Sequence, residues 1–421
     1  MNDSGNKVLV IDPGGCRAAL LIVRSLERRN VKTSIMVDEQ ARSISRFSRW
    51  RPESFLGPSP VNDAKGYFAA LLKHVKAKRY FAILPVTDPA LLPISEHREQ
   101  LKPSKVVLPS HDSVLTALDK FRTIKLAEEI GIPTPKTFQV KDMDDIVKIS
   151  KKIRYPVAVK PRRSYAWGEN GQAFFLRPFY VNNSVELVST YEKVAEKSPS
   201  PIVQEFVPGS NISVAFLFDH GEPKAVCFIG VKRTIPVRGG NSVLRESIPP
   251  VPMLYAFARE LLESLCWHGV AEVEFKIDNR DSTPKLMEIN PRVWGSMNVA
   301  IKSGVDFPYL LYLLAKGESI DPIFKYKIGV KYRWLNADLQ NLISTVRGEQ
   351  RLVNTENRGR FSSILDFVKF YESNMHYDGF ALSDPRPFFM DEFISVYDVV
   401  ERFFLKKVCG IQSQQAAKYL R

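Results

Sequence analysis

Hydrophobic and polar positions change period several times along this chain, and each change marks a different kind of element. Short apolar runs at residues 8–11, 33–37, 80–84 and 105–108 are bounded by turn residues. Tyr67, Phe68, Leu71, Leu72 and Val75 recur between them at helical spacing. Strands alternating with helices in this way predict a doubly wound, Rossmann-like α/β domain with a parallel sheet. Pro13-Gly14-Gly15 after the first strand lacks the dinucleotide fingerprint and reads as a tight turn. A helix is expected over 113–130, burying Leu118, Phe121 and Ile124 and stopped by Gly131, Pro133 and Pro135. Strands at 156–160, 174–181, 202–206, 212–218 and 225–231 then mix with helices at 252–266 and near 308–315, an α+β pattern. The remainder reads as mainly helical.

The most informative alternation lies between residues 270 and 296. Val273, Phe275 and Ile277 share one face of a strand, and Glu272, Glu274 and Lys276 the other. After the polar turn at 278–284, Glu288 and Asn290 oppose Met287 and Ile289. The pattern predicts an antiparallel hairpin that brings Glu274 and Glu288 together. Two carboxylates near 4 Å repel by about 4 kcal/mol at an effective dielectric of about 20, and a bound cation removes that cost. Glutamate and asparagine oxygens suit Mg2+ or Mn2+ rather than zinc or copper, and Mg2+ commonly shares its shell with substrate phosphates. A hairpin with one solvated face would show the same alternation.

Three further segments fit a nucleotide, each with a plainer alternative. Lys160 ends an apolar strand and leads into a loop holding Ser164, Gly168 and Gly171, small residues that let backbone N–H groups approach phosphate. A hairpin turn with a solvated lysine is the plainer reading. Residues 201–211 leave a buried strand through a turn that offers backbone groups to an adenine edge, with Phe206 and Val207 as walls. An ordinary strand exit fits equally. Arg238-Gly239-Gly240 is a basic loop able to close over an anion, or a surface hairpin.

Composition narrows the class. A chain of 421 residues suggests two to four domains, and 44% hydrophobic with 25% charged residues is globular. Cys16, Cys227, Cys266 and Cys409 are scattered, and the six histidines form no His-Glu-x-x-His pattern, which fits a reducing cytoplasm without structural zinc. No apolar run approaches the roughly 18 residues of a membrane span, and no signal-peptide pattern is present, so a cytoplasmic location is expected. The net charge of +14 fits nucleic acid, acidic lipid or anionic substrates. Arg42, Arg46, Arg49 and Arg51 around Phe47 and Trp50 resemble a nucleic-acid surface. A solvated helix face packing two aromatics inward is simpler, so anionic small molecules are expected and nucleic acid is not. The run Arg402 to Lys407 reads as the end of an amphipathic helix rather than a lipid contact.

Asp119-Lys120, Val159-Lys160-Pro161, Gln204 to Gly209 and Glu288-Ile-Asn-Pro-Arg292 together resemble, in order and approximate spacing, the ATP-grasp superfamily, over residues 1 to about 318. With Trp294-Gly295-Ser296 following, the chain is most similar to the carbamoyl-phosphate-synthetase-like carboxylate–amine ligases. The resemblance implies a pre-ATP-grasp domain over 1–111 and a two-part ATP-grasp core over 112–318. Within that core, about 137–206 would form the small nucleotide lobe and about 207–318 the metal and substrate lobe. A mainly helical C-terminal appendage would occupy 319–421. It implies that Lys120 and Lys160, with Ser164 and Gly168, bind ATP phosphates. Gln204, Glu205, Phe206 and Val207 would hold adenine. Glu274, Glu288 and Asn290 would ligate two Mg2+ (or Mn2+) ions, and Arg292 would face the reacting carboxylate. Arg238, Gly239, Gly240 and Trp294 would serve substrate or lid. Asn211 stands where many relatives place a ribose-binding glutamate, which leaves its contact with ribose open. The implied activity joins a small-molecule carboxylate to an amine through an acyl phosphate. A bicarbonate-activating enzyme making carbamoyl phosphate or carboxylating a cofactor, or a non-enzymatic nucleotide or nucleic-acid binder, stands as the alternative. A homo-oligomer is left open.

Overall fold

The computed structural model describes residues 6–14, 17–39, 41–167, 172–236, 240–348, 360–395 and 397. Strands β1 (Val8–Asp12), β2 (Thr33–Asp38), β3 (Glu53–Gly57) and β4 (Ala82–Pro85) form a parallel sheet in the order β3-β2-β1-β4. The alternation of strand and helix anticipates its type, with two differences. β3 was not expected, because its residues are largely exposed at the sheet edge and carry no apolar run. The strand expected at 105–108 makes only a bridge from Lys105 to Ala82.

The helix expected over 113–130 is two helices, His111–Leu118 and Lys120–Glu129. The Asp119 carboxylate accepts hydrogen bonds from the backbone N–H groups of Phe121 and Arg122, so it caps a new helix and puts Lys120 at its first turn. Strands β5 (Thr137–Gln139), β6 (Val157–Lys160), β7 (Tyr165–Trp167), β8 (Ala173–Phe175), β9 (Phe179–Val181) and β10 (Ile202–Glu205) follow. They make a four-stranded sheet, β5-β10-β6-β9, and a β7-β8 ribbon. Residues 174–181 were expected as one strand. Pro178, which has no N–H to donate, separates β8 from β9, and they enter different sheets.

The largest sheet has seven strands, β15-β14-β11-β12-β13-β16-β17. They are β11 (Gly209–Asp219), β12 (Glu222–Ile235), β13 (Asn241–Ser247), β14 (Gly269–Asp278), β15 (Pro284–Asn290), β16 (Lys331–Arg333) and β17 (Met375–Tyr377). Helix Pro252–Ser264 covers one face through Leu254, Leu261 and Leu262. Helix Phe307–Lys316 lies in a second core cluster that includes Ala215, Leu217 and Cys227 of this sheet and Val8, Val10, Ile22 and Leu26 of the first domain. One core therefore joins the parallel sheet to the large sheet.

Beyond residue 318 the chain has helices Leu335–Val346 and Arg360–Val368, and it also extends the large sheet through β16 and β17. Buried ion pairs fasten it. Arg245 donates to both Asp378 oxygens at 2.5 and 2.7 Å, Arg24 to Asp384 at 2.9 Å, and Arg333 and Arg233 to Asp338 at 2.6 and 2.7 Å. Arg49 of the basic, aromatic-rich segment donates its backbone N–H to Asp384, and Arg42 stacks on Tyr397. Phe47 stays 40% exposed, contrary to the inward packing expected of it. The run at 402–407 lies outside the described residues.

Candidate active site

Strands β14 and β15 form the expected hairpin. Glu274 stands opposite Glu288, and Glu272 opposite Asn290. The Asn290 amide donates to Glu274 at 2.9 Å and to Glu272 at 3.2 Å, so all four side chains share one face. A bulge follows Glu274, with Leu286 rather than Met287 opposite Phe275. The extra residue on β15 breaks the alternation, so Leu286 and Ile289 are buried and Met287, expected in the core, is not.

Lysines approach this face from two other elements. Lys120 Nζ lies 3.0 Å from Glu288 and donates to Ser164 Oγ at 3.3 Å. Asp119, besides capping that helix, pairs with Arg162 at 2.6 Å and ties it to the loop after β6. Lys160 Nζ donates to Gln204 Oε1 at 2.6 Å, and the Gln204 amide donates to Thr137. The Gln204 side chain orients a lysine, which leaves the backbone of this strand end as the part expected at adenine. Glu205 pairs with Lys285 at 2.7 Å, so its side chain also turns away from a base. Phe206 packs edge-on against Tyr180, and the Val207 carbonyl accepts from Lys276 at 2.8 Å. Asn211 Oδ1 is buried and accepts no hydrogen bond among the described residues. A ligand hydroxyl fits that lone pair.

The electrostatics of the face are unbalanced. Burial, then Glu288 and Glu272, pushes the Glu274 carboxyl well above its usual range, and burial brings Glu272 up to about 7. Lys120 holds Glu288 below the usual range. Burial works against the Lys120 ammonium, but Glu288 beside it raises its pKa overall. Burial takes Lys160 down to about 7 and Lys276 to about 8. Acids that hold protons and lysines that shed them, side by side, mark a site short of its natural charges. Two or three hard oxygen donors on one face fit a divalent cation, and lysines around it fit polyphosphate.

Arg292, just beyond β15, donates to Asp88 at 2.5 Å. Asp88 begins helix Asp88–Glu96 at the carboxyl end of the parallel sheet, so the first domain contacts the site directly. Trp294 is not at a lid. It is 2% exposed and packs edge-on against Phe307 in the shared core. Gly240 is wedged against Ile235, where a Cβ would meet the carbonyl oxygen at 2.5 Å. Arg238, Gly239, Gly168 and Gly171 lie outside the described residues.

Sequence reasoning missed three contributors. Glu272 was visible as the alternate position before Glu274, and Lys276 as the one after it. Asp88 carried no signal, because only folding brings it to Arg292, 204 residues away.

A family profile described as ATP-grasp in the biosynthetic pathway with Ter operon matches residues 197–337, which include the hairpin and its neighbours. Residues 197–337 therefore carry an ATP-grasp domain match. The carbamoyl phosphate synthase large chain of Pyrococcus furiosus is 28% identical over 206 residues, 47% of this chain and 18% of that one. The D-aspartate ligase of Enterococcus faecium is 28% identical over 234 residues, 52% of this chain and 54% of that one. These matches thus span about a fifth and about half of the relatives' lengths. Among solved structures, this chain resembles the biotin carboxylase domain of Hydrogenobacter thermophilus 2-oxoglutarate carboxylase, a dimer in complex with MgADP, ADP and bicarbonate. The TM-score is 0.60 at 17% identity, over 77% of this chain and 73% of that one. The fold of this protein is therefore a mixed α/β one that matches ATP-grasp structures of this kind. No helix among the described residues is long and apolar enough to cross a membrane.

Proposed function

We propose that this protein is a cytoplasmic ATP-dependent ligase that activates a carboxylate as an acyl phosphate and transfers the acyl group to an amine. The observation that carries the reading is the hairpin face, where Glu274 opposes Glu288 beside Asn290 and Glu272, with Lys120 on Glu288. One relative's name, D-aspartate ligase, agrees with ligation, and the matching family profile is described as ATP-grasp.

In this reading Glu274, Glu288 and Asn290, with Glu272 in support, hold two Mg2+ ions, which when bound neutralise phosphate charge. Lys120 and Lys160 contact the phosphate oxygens, and the polyanion restores the Lys160 ammonium that burial weakens. Phe206, Val207 and Tyr180 wall the adenine, and Asn211 Oδ1 accepts from a ribose hydroxyl. A substrate carboxylate oxygen attacks the γ-phosphorus as ADP departs, giving an acyl phosphate. The amine then attacks the acyl carbon and inorganic phosphate leaves. Arg292, oriented by Asp88, offers its planar fork to the oxyanion between those steps.

The test has two stages. Calorimetric titration with MgATP should show binding that Glu288→Gln weakens at least about tenfold, the usual scale for losing a metal-site residue. Pairs of carboxylates and amines are then screened for ADP and phosphate release that requires both. Turnover driven by bicarbonate with no dependence on an amine would replace ligation with the carboxylase reading. Unchanged MgATP affinity in Glu288→Gln would remove the site itself.

A further inference from the structure

A second cluster of ligating side chains lies at the opposite end of the large sheet. Asp219 closes β11, His220 and Gly221 form the turn, and Glu222 pairs back with Asp219 to begin β12. Both central residues have positive φ, 44° at His220 and 88° at Gly221. A two-residue hairpin turn of this hand favours asparagine or glycine at its first central position, where a Cβ costs about 1–2 kcal/mol. This chain carries an imidazole there instead.

The turn is docked on the segment entering β14. Gly221 N–H donates to the Trp267 carbonyl at 2.8 Å, and Trp267 is itself fully buried. The next residue, His268, lies with its ring stacked on His220, centroids 4.1 Å apart and planes 15° from parallel. His268 Nδ1 is 3.5 Å from an Asp219 carboxylate oxygen, and His220 Nε2 is 3.9 Å from the same atom. The backbone N–H of His220 donates to His268 Nδ1 at 3.3 Å, so that nitrogen is unprotonated and its lone pair faces the turn, in a bond that a metal would displace. One ligand atom from each of the three side chains lies within 4.8 Å of the others.

We propose that Asp219, His220 and His268 form a transition-metal site, taking Zn2+ or a similar borderline ion with water completing the shell. Two imidazole nitrogens and one carboxylate are a zinc-type donor set with an open position, and they do not suit Mg2+. Bonds near 2.1 Å put tetrahedral donors roughly 3.4 Å apart, and a metal lies near the plane of each imidazole it binds, so His220 must turn out of its stack on His268 to reach a shared ion. Its side chain, 82% exposed, has the room to do so. The ion would clasp the β11–β12 turn to the start of β14.

This site is separate from the carboxylate face. Phe218 pairs with Gly269 at one end of the ladder, Ala215 with Glu272 three residues along and Ser213 with Glu274 five residues along, roughly 10 and 17 Å at strand rise. The inference does not depend on the ligase reading.

The experiment uses the full chain stripped of metal and held in excess Mg2+, which occupies hard oxygen sites. Titration with Co2+ should give visible absorption saturating at one ion per chain and displaced by Zn2+. His220→Asn keeps a residue at home in the left-handed turn while removing the ligand, so it folds. It and His268→Gln should each weaken Co2+ binding about tenfold or more, with MgATP affinity unchanged in His220→Asn. Cys266, an exposed thiol two residues before His268, is the competing ligand, and Cys266→Ser should leave the titration as it was. Absence of saturable Co2+ binding, a wild-type titration in His220→Asn, or loss of binding in Cys266→Ser would each overturn the assignment.

Discussion

Glu272, Glu274 and Glu288 crowd one face of the β14–β15 hairpin, whereas Asp338, Asp378 and Asp384 are spread along the chain that follows. The aspartates and Glu272 are buried and Glu274 and Glu288 partly so, yet the two sets are balanced differently. Asp378 receives Arg245 and the Asn298 amide, with Arg17 nearby, and Asp384 receives Arg24, the Ser48 hydroxyl and the Arg49 backbone. Asp338 receives Arg333 and Arg233. On the hairpin, three carboxylates share one close cation, Lys120, with a neutral amide, the Ser296 and Ser213 hydroxyls on Glu272 and the more distant Lys160 and Arg292. The paired set holds the C-terminal segment to both domains. The underpaired set keeps an electrostatic debt that a ligand can discharge, which is how a binding site differs from a fastening.

The largest effect should come from breaking the fastening. Asp378→Ala leaves the Arg245 guanidinium, 1% exposed, without its counter-charge. Losing one partner of a buried pair costs about 3–5 kcal/mol. The denaturant midpoint should fall accordingly, while MgATP affinity of the folded fraction stays near wild type. An unchanged midpoint would make these pairs incidental and erase the contrast.

Arg292→Ala tests the boundary between the two regions. ATP affinity should persist while amine-dependent product formation falls on the order of 100-fold, the typical cost of removing one oxyanion donor. Arg292→Lys should rescue poorly, because an ammonium lacks the planar fork. Loss of ATP affinity with ligation otherwise normal would make Arg292 a nucleotide anchor.

What could be read in the sequence follows the same division. The hairpin was legible because its residues are neighbours in sequence and its period-two pattern names one face, so Glu274, Glu288 and Asn290 emerged before any coordinates. Its bulge was not, since nothing local says which strand carries an extra residue, and Met287 was assigned inward. The fastening was invisible. Arg24 and Asp384 are 360 residues apart, and no local pattern links them. The Gln204 side chain had no assigned partner in the sequence, because a strand exit does not mark where its side chains point, and folding sets it on Lys160. Trp294 looked like a substrate residue from its place after Arg292, yet the chain turns there into the shared core.

Glu274→Gln should sharpen the contrast from the other side. Removing one of the mutually repelling acids relieves the ligand-free fold, so stability should hold or rise by up to about 1 kcal/mol, unlike a typical buried polar change. MgATP affinity should nevertheless fall. A clear loss of stability without ligand would show that Glu274 is a structural acid like Asp378.

The smallest effect is a pH signature. Without ligand, the Glu272 carboxyl keeps its proton up to about pH 7, whereas in the unfolded chain it is lost near its ordinary value of 4.5. The folded state therefore binds more protons between those values, and this group's contribution to stability declines as pH rises through that window. Lys160 acts over the next window. Its folded pKa of about 7 lies below the ordinary 10.5, so the unfolded chain binds more protons there and stability rises with pH from about 7 to 10.5. Mg2+ requires ionised carboxylates and must compete with protons below pH 7. At a Mg2+ concentration about five times its dissociation constant near pH 8, stabilisation should be about 1 kcal/mol, and it should shrink toward zero at pH 5.5. Thermal melts with and without Mg2+ at the two pH values measure this directly, and Glu272→Gln should flatten the ligand-free decline between pH 5 and 7. A Mg2+ shift of equal size at both pH values would place the cation away from the buried carboxylates, leaving the hairpin with no ligand to discharge it.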